Sequence, residues 1–302
     1  MNPRWPELPL VDWQDTRTTF HLFCQIVGKV RLKHHPKLNH WWHVPLYVTP
    51  RGVTTAVVPA GDKSFELELD LTDHTWTCRT SDGEWRVFPL AGQSVAGFYR
   101  RVTHELEDLG IEAKILAKPF DPDKAKSDIP FAEDEQHKTY DPEYAHRFFQ
   151  VLSVIDPVFK EFRGRFLGKV SPVHLFWHSL DLAVTRFSGR SVEVSPDADP
   201  VTREAYSHEV ISSGFWAGDD NIPEPAFYTY AAPEPEGLAD EPLAPAGAWW
   251  QEIDGGTHMA LLKYHELREM DDPRQGLLDF LQSSYEAGAR RAGWDREALE
   301  LR

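Results

Sequence analysis

The sequence predicts an α+β protein: antiparallel sheets with helices on one face. Three observations predict it. Strand-like segments run consecutively between helices instead of alternating with them, which disfavours a doubly wound parallel sheet. The segment Phe65-Glu-Leu-Glu-Leu-Asp-Leu71 alternates apolar and polar residues, as a strand with one wet face does. Helical spacing of apolar residues is confined to a few segments that open and close two halves of the chain.

The first helix is expected over residues 16–32, capped by Asp15 or Thr16, with Phe20, Phe23, Cys24, Val27 and Val30 on one apolar face. Strands follow at 45–48, 52–58, 65–71, 75–79 and 85–88. Pro50-Arg51-Gly52 and Asp82-Gly83 supply the turns. A helix over 95–109 stops at Gly110, and a short strand over 112–117 closes this unit. Residues 119–141, rich in Pro, Asp and Lys, read as a linker or surface loop. A helix over 142–166 comes next, kinked or divided by Pro157. Strands at 173–187, 206–215, 226–232 and 247–264 lead to a last helix over 273–291, opened by Asp272-Pro273 and ended at Gly293.

The order of elements repeats, which points to a structural duplication. Leu46-Tyr-Val-Thr49 matches Leu182-Ala-Val-Thr185, and Phe98 to Gly110 resembles Phe280 to Gly293. The expected division is an N-terminal half over 1–118, the linker over 119–141, and a C-terminal half over 142–302 that carries the candidate site.

A chain of 302 residues can bury a sizeable core. Its net charge of −16 opposes general binding to phosphate backbones, so no nucleic-acid partner is expected. The 11 Trp and 17 Phe build either a large aromatic core or an aromatic-lined pocket. Cys24 and Cys78 stand in no paired metal motif and read as buried free thiols. No apolar stretch approaches the roughly 20 residues that span a bilayer, and the N-terminus lacks a signal-peptide core; neither a membrane nor export is expected, and the cytoplasm is. Dinucleotide and phosphate-loop fingerprints are absent, so the sequence names no cofactor, and it leaves the oligomeric state open.

Chemistry concentrates in two polar-in-apolar segments, Ser171 to Arg190 and Glu204 to Trp216. Polar groups inside apolar runs cost free energy unless paired, so they form either a satisfied network or a site. His174 and His208 are candidate acid–base residues, with Arg186 to stabilise negative charge and Glu204 or Glu209 to orient a histidine. For direct catalysis they must share one cavity, within about 12 Å of each other. Trp177, Trp216, Tyr228 and Tyr230 are candidate ligand contacts in the second half, joined by His43 and Arg51 from the first. On a helix, His174, His178 and Asp181 would share a face and could hold a metal. On a strand, which the match to Leu46–Thr49 favours, the two histidines stand about 13 Å apart and Asp181 points the other way.

Both segments resemble an uncharacterised bacterial family known only as a domain of unknown function, DUF5996. The resemblance also includes His43-Val-Pro-Leu-Tyr-Val-Thr-Pro-Arg-Gly52, Ile129-Pro-Phe131, Tyr140-Asp-Pro142 and Ser283-Ser-Tyr285. It covers most of the chain and implies no activity.

Three readings of function follow. The first is a small-molecule-binding protein, a sensor or accessory factor, with an aromatic pocket beside 173–187 and 206–216. The second is an enzyme, a hydrolase or a metal-dependent one, working through His174, His208 and Arg186. The third is a protein acting through a partner surface, where the acidic charge favours a basic partner.

Overall fold

A computed structural model of the chain describes residues 5–220 and 222–301. Helix α1 (Leu10–His34) leads into strands β1 (Tyr47–Val48), β2 (Gly52–Thr54), β3 (Val58–Ala60), β4 (Lys63–Asp70), β5 (Thr75–Thr80) and β6 (Trp85–Pro89). Helices α2 (Val95–Asp108), α3 (Pro122–Ala125) and α4 (Pro142–Gly164) follow. Strands β7 (His174–Phe176) and β8 (Asp181–Ser191) precede α5 (Pro200–Ala205). Strands β9 (His208–Trp216), β10 (Ala226–Ala232), β11 (Trp249–Ile253) and β12 (Thr257–Lys263) complete the second half. Helices α6 (Tyr264–Arg268), α7 (Pro273–Arg291) and α8 (Arg296–Leu299) end it.

The α+β class is what the chain adopts. Among the described residues there are two six-stranded antiparallel sheets and eight α-helices. The first sheet runs β1-β2-β4-β5-β6, with β3 also on β4; the second runs β11-β12-β10-β9-β8-β7. Among the described residues, the two meet at a single backbone bridge, where Leu46 and Leu175 exchange both hydrogen bonds at 2.8 Å. The matched tetrapeptides occupy unlike places, since β1 is an edge strand and β8 lies one strand in from an edge.

Helix α1 departs furthest from expectation. It begins at Leu10 with Pro9 at its N-cap, and every residue from Thr16 to Arg31 is buried. One apolar face cannot account for that. The polar side is buried too, and distant groups satisfy part of it: His21 on the Trp177 carbonyl (2.9 Å), Gln25 on the Phe120 backbone (2.8 and 3.2 Å), and Arg31 on the Thr55 carbonyl, while Arg17 Nε, Thr19 Oγ1, His21 Nδ1 and Arg31 Nε have no hydrogen-bond partner among the described residues. The helix is central to the molecule.

Other corrections are local. Residues 112–117 form no strand, although their burial alternates. Their carbonyls go to α1 side chains: Lys33 takes Lys114 O (2.7 Å) and His34 takes Glu112 O (2.7 Å). The expected 52–58 strand breaks at Ala56, which adopts φ 51°. The 173–187 and 247–264 segments each fold back as a pair, β7–β8 and β11–β12. Pro157 lies within a continuous α4. The 119–141 segment contains α3 and buries Ala125, Phe131 and Asp134. The expected caps at Asp141-Pro142 and Asp272-Pro273 are made: each aspartate accepts a backbone N–H of the first turn.

Strand parity divides the second sheet into two faces. Leu182, Val184 and Arg186, with Ser213, Phe215, Phe227 and Thr229 across the ladder, share the face that packs on α4 and α7. Asp181, Ala183 and Thr185, with His174, Phe176, Ser212, Gly214, Trp216, Tyr228 and Tyr230, share the outer face.

Candidate functional site

The turn over residues 177–180 joins β7 to β8 and positions the outer face. Leu180 closes it at φ 56°, a left-handed backbone that costs a non-glycine residue roughly 1–2 kcal/mol. The turn is pinned from beneath. Trp177 donates its indole N–H to Val44 O (3.0 Å), and His21 bonds its carbonyl. The Trp177 ring lies against Gly28 of α1, so closely that a Cβ there would stand 2.2 Å from it.

Asp181, only 8% exposed, is the hub of the site. Tyr228 donates to its Oδ2 at 2.5 Å, and Ser179 donates to its Oδ1. Ser179 has a single hydroxyl proton, and it is committed to Asp181. Ser179 Oγ also lies 2.7 Å from His178 Nδ1, which must then be the donor of that bond. The network therefore fixes the His178 tautomer with Nδ1 protonated and leaves Nε2 as a lone-pair acceptor. Phe176 (5.4 Å, 12°) and Phe120 (5.8 Å, 30°) stack on the same imidazole. Burial lowers its pKa, with Asp181 opposing, so the ring is neutral at pH 7.

Aromatic groups continue along this face. Trp216, cross-strand from Asp181, stands 5.5 Å from the Tyr228 ring, and its buried indole N–H has no protein partner. Tyr228 stacks on Tyr230 (6.1 Å), whose hydroxyl meets that of Tyr206 at 3.0 Å. Both phenols titrate well above the ordinary tyrosine range: burial is the main cause, with Asp181 and Tyr206 respectively next. Thr185 and Ser212 hydroxyls pair at 2.9 Å. The arrangement offers π-faces, one fixed acceptor and one unused donor. Ser179 is not an activated nucleophile, since its proton goes to a carboxylate instead of to the histidine.

Of the residues expected from sequence, Trp216, Tyr228 and Tyr230 come together here, with Asp181 and His178 beside them. The proposed catalytic set is not assembled. His174 pairs with Ala183 and His208 with Ser191, eight residues further along β8, so roughly 25 Å separate them. Arg186 points to the other face by parity. There it donates to the Phe162 carbonyl and lies over the Phe162 (3.5 Å) and Tyr285 (4.3 Å) rings, a structural clamp. Glu209 pairs with Arg190 (2.6 Å), and His208 lies by His40 (5.7 Å). Glu204 pairs with Lys37 at 2.8 Å. Among the ligand candidates, Trp177 is an anchor in the core. His43 accepts from Leu38 N–H (3.2 Å) and stacks on Trp41, and Arg51 pairs with Asp70 and Asp73 in the first sheet. No group of three or more His, Cys, Asp or Glu among the described residues is arranged to hold a metal. Phe176 meets His174 edge-on (4.6 Å) and stacks on His178.

Two core histidines carry a pH dependence. Burial, as the main cause, holds both His21 and His174 at about 3; Arg17 adds for the first and Arg31 for the second. Unfolded, each titrates near the ordinary 6.5. The unfolded chain thus binds more protons between these values, so their stabilisation is complete above about pH 6.5 and is lost progressively as pH falls toward 3. Two such groups give a slope approaching about 2.7 kcal/mol per pH unit within that window. The urea midpoint should therefore fall from pH 7 to pH 5, and His21→Gln should flatten the fall. A midpoint indifferent to pH over that range would show these rings charged or solvated.

The chain belongs to a family of unknown function, DUF5996, whose model matches residues 5–301. No curated protein and no solved structure matches it. Among the described residues, no helix is long and apolar enough to cross a membrane.

Proposed function

We propose that this protein binds a small organic molecule on the outer face of the second sheet, beside Asp181. One observation carries the reading: the Asp181–Ser179 relay leaves His178 Nε2 as a fixed, neutral acceptor, joined through Asp181 to Tyr228, which lies against Trp216 and stacks on the half-buried Tyr230. The ligand class is a planar or ring-bearing molecule with an N–H or O–H group for His178 and an acceptor for the Trp216 indole. Pre-ordered side chains limit the entropy lost on binding.

The fixed tautomer favours a second reading. A neutral imidazole with Nδ1–H held by a hydroxyl–carboxylate relay is oriented as a general base. In that reading the base is His178, in place of His174 and His208.

A thermal-shift screen of small metabolites tests binding, because a ligand at 100 times its Kd raises stability by about 2.7 kcal/mol. Compounds that raise the wild-type midpoint should lose that effect in Trp216→Ala. Hits that act equally on both proteins would place binding elsewhere.

A further inference from the structure

Among the described residues, backbone pairing between the two sheets stops at Leu46 and Leu175. In the β1–β2 hairpin, Thr49 N–H bonds Gly52 O (2.9 Å), and Tyr47 pairs with Thr54. Alternation in an antiparallel ladder therefore turns the Val48 N–H and C=O away from β2, toward β7. The same alternation, set by Leu175 bonding Leu46, turns the Val173 N–H and C=O toward β1. Val48 and Val173 are the next pair in register, yet among the described residues no backbone bond joins them. A cleft of about 240 Å³ opens at this point, lined by both valines and by Asp156, Lys160 and Arg163 of α4.

The charges in the cleft are uneven. Lys160 is paired with Asp156 at 2.6 Å. Arg163 uses Nε on the Ser171 carbonyl (2.7 Å), and among the described residues its two terminal nitrogens have no ion pair or hydrogen bond. One planar guanidinium edge is therefore free beside two unpaired strand edges. A guanidinium edge matches a carboxylate, and strand edges match an amide. The volume lies below the roughly 300 Å³ at which drug-sized pockets begin, so the occupant is small.

We propose that this seam binds a small carboxylate bearing an amide, of the N-acyl amino acid or dipeptide class. Its carboxylate would pair with Arg163, and its amide would bridge Val48 and Val173 as a short strand between the sheets. This site is separate from the Asp181 face and does not depend on it.

The probe is N-acetyl-L-alanine, titrated into protein carrying ¹⁵N-valine. The Val48 and Val173 amide signals should move saturably, ahead of the other valines. Arg163→Ala should weaken binding tenfold or more, and N-acetyl-L-alanine amide, which lacks the carboxylate, should bind comparably weakly to wild type. Trp216→Ala should leave the titration unchanged. Absence of movement at both valines would overturn the proposal, and so would equal affinity for the acid and its amide. The wild-type arms decide the matter even if Arg163→Ala fails to fold.

Discussion

Gly28→Ala should destabilise the protein by about 3 kcal/mol, although alanine is the better helix former by about 1 kcal/mol. The new methyl would fall 2.2 Å from Trp177 Cδ1, 2.4 Å from Cγ and 2.4 Å from Nε1. The indole cannot yield cheaply: its N–H is bonded to Val44 and its backbone to His21. Trp177→Ala should itself cost about 3–5 kcal/mol by leaving a cavity. In that background, however, Gly28→Ala should become neutral or stabilising, because the methyl then enters vacated space. The two effects must be strongly non-additive. Chemical denaturation of the four proteins in the cycle checks this; equal cost of Gly28→Ala in both backgrounds would show that the contact does not set the position of the turn.

Asp181→Ala should cost about 3 kcal/mol and remove ligand binding. It deprives Tyr228 and Ser179 of a shared charged acceptor, and bonds to a charged group contribute about 1.5–3 kcal/mol each. Ser179 is then free to donate to His178, so the imidazole loses its fixed tautomer. Tyr228→Phe removes only one arm and should cost about half as much. A stability loss in Asp181→Ala no greater than in Tyr228→Phe would mean that the Ser179–His178 arm is not formed.

Local signals in the sequence were read where local physics decides. The alternation of residues 65–71 became β4, Asp82-Gly83 turned β5 into β6, and aspartate–proline pairs opened α4 and α7. What local pattern cannot supply is a partner far along the chain. Arg17, His21, Gln25 and Lys29 look like the wet side of α1, yet the helix is enclosed, and His21 finds its acceptor 156 residues away. Residues 112–117 alternate like a strand but spend carbonyls on Lys33 and His34.

The site was legible in part. Polar groups within apolar strands pointed to the segments that form the outer face, where Trp216, Tyr228 and Tyr230 meet. Parity then sent Arg186 to the helix face, and register sent His174 and His208 to opposite ends of β8. The turn at 177–180 was missed because Leu180, not glycine, takes the positive φ. Ser179 and Asp181, both turn-forming types, carried the signal that could have found it.

In the proposed function, ligand meets His178 and Trp216 on the outer face. The most direct measurement is the indole N–H spectrum of ¹⁵N-tryptophan-labelled protein, recorded with and without a compound that raises its melting midpoint. The Trp216 signal should move most among the 11 tryptophans, and His178→Ala should weaken the titration. A compound that binds while leaving the Trp216 signal in place would show that ligand binds elsewhere.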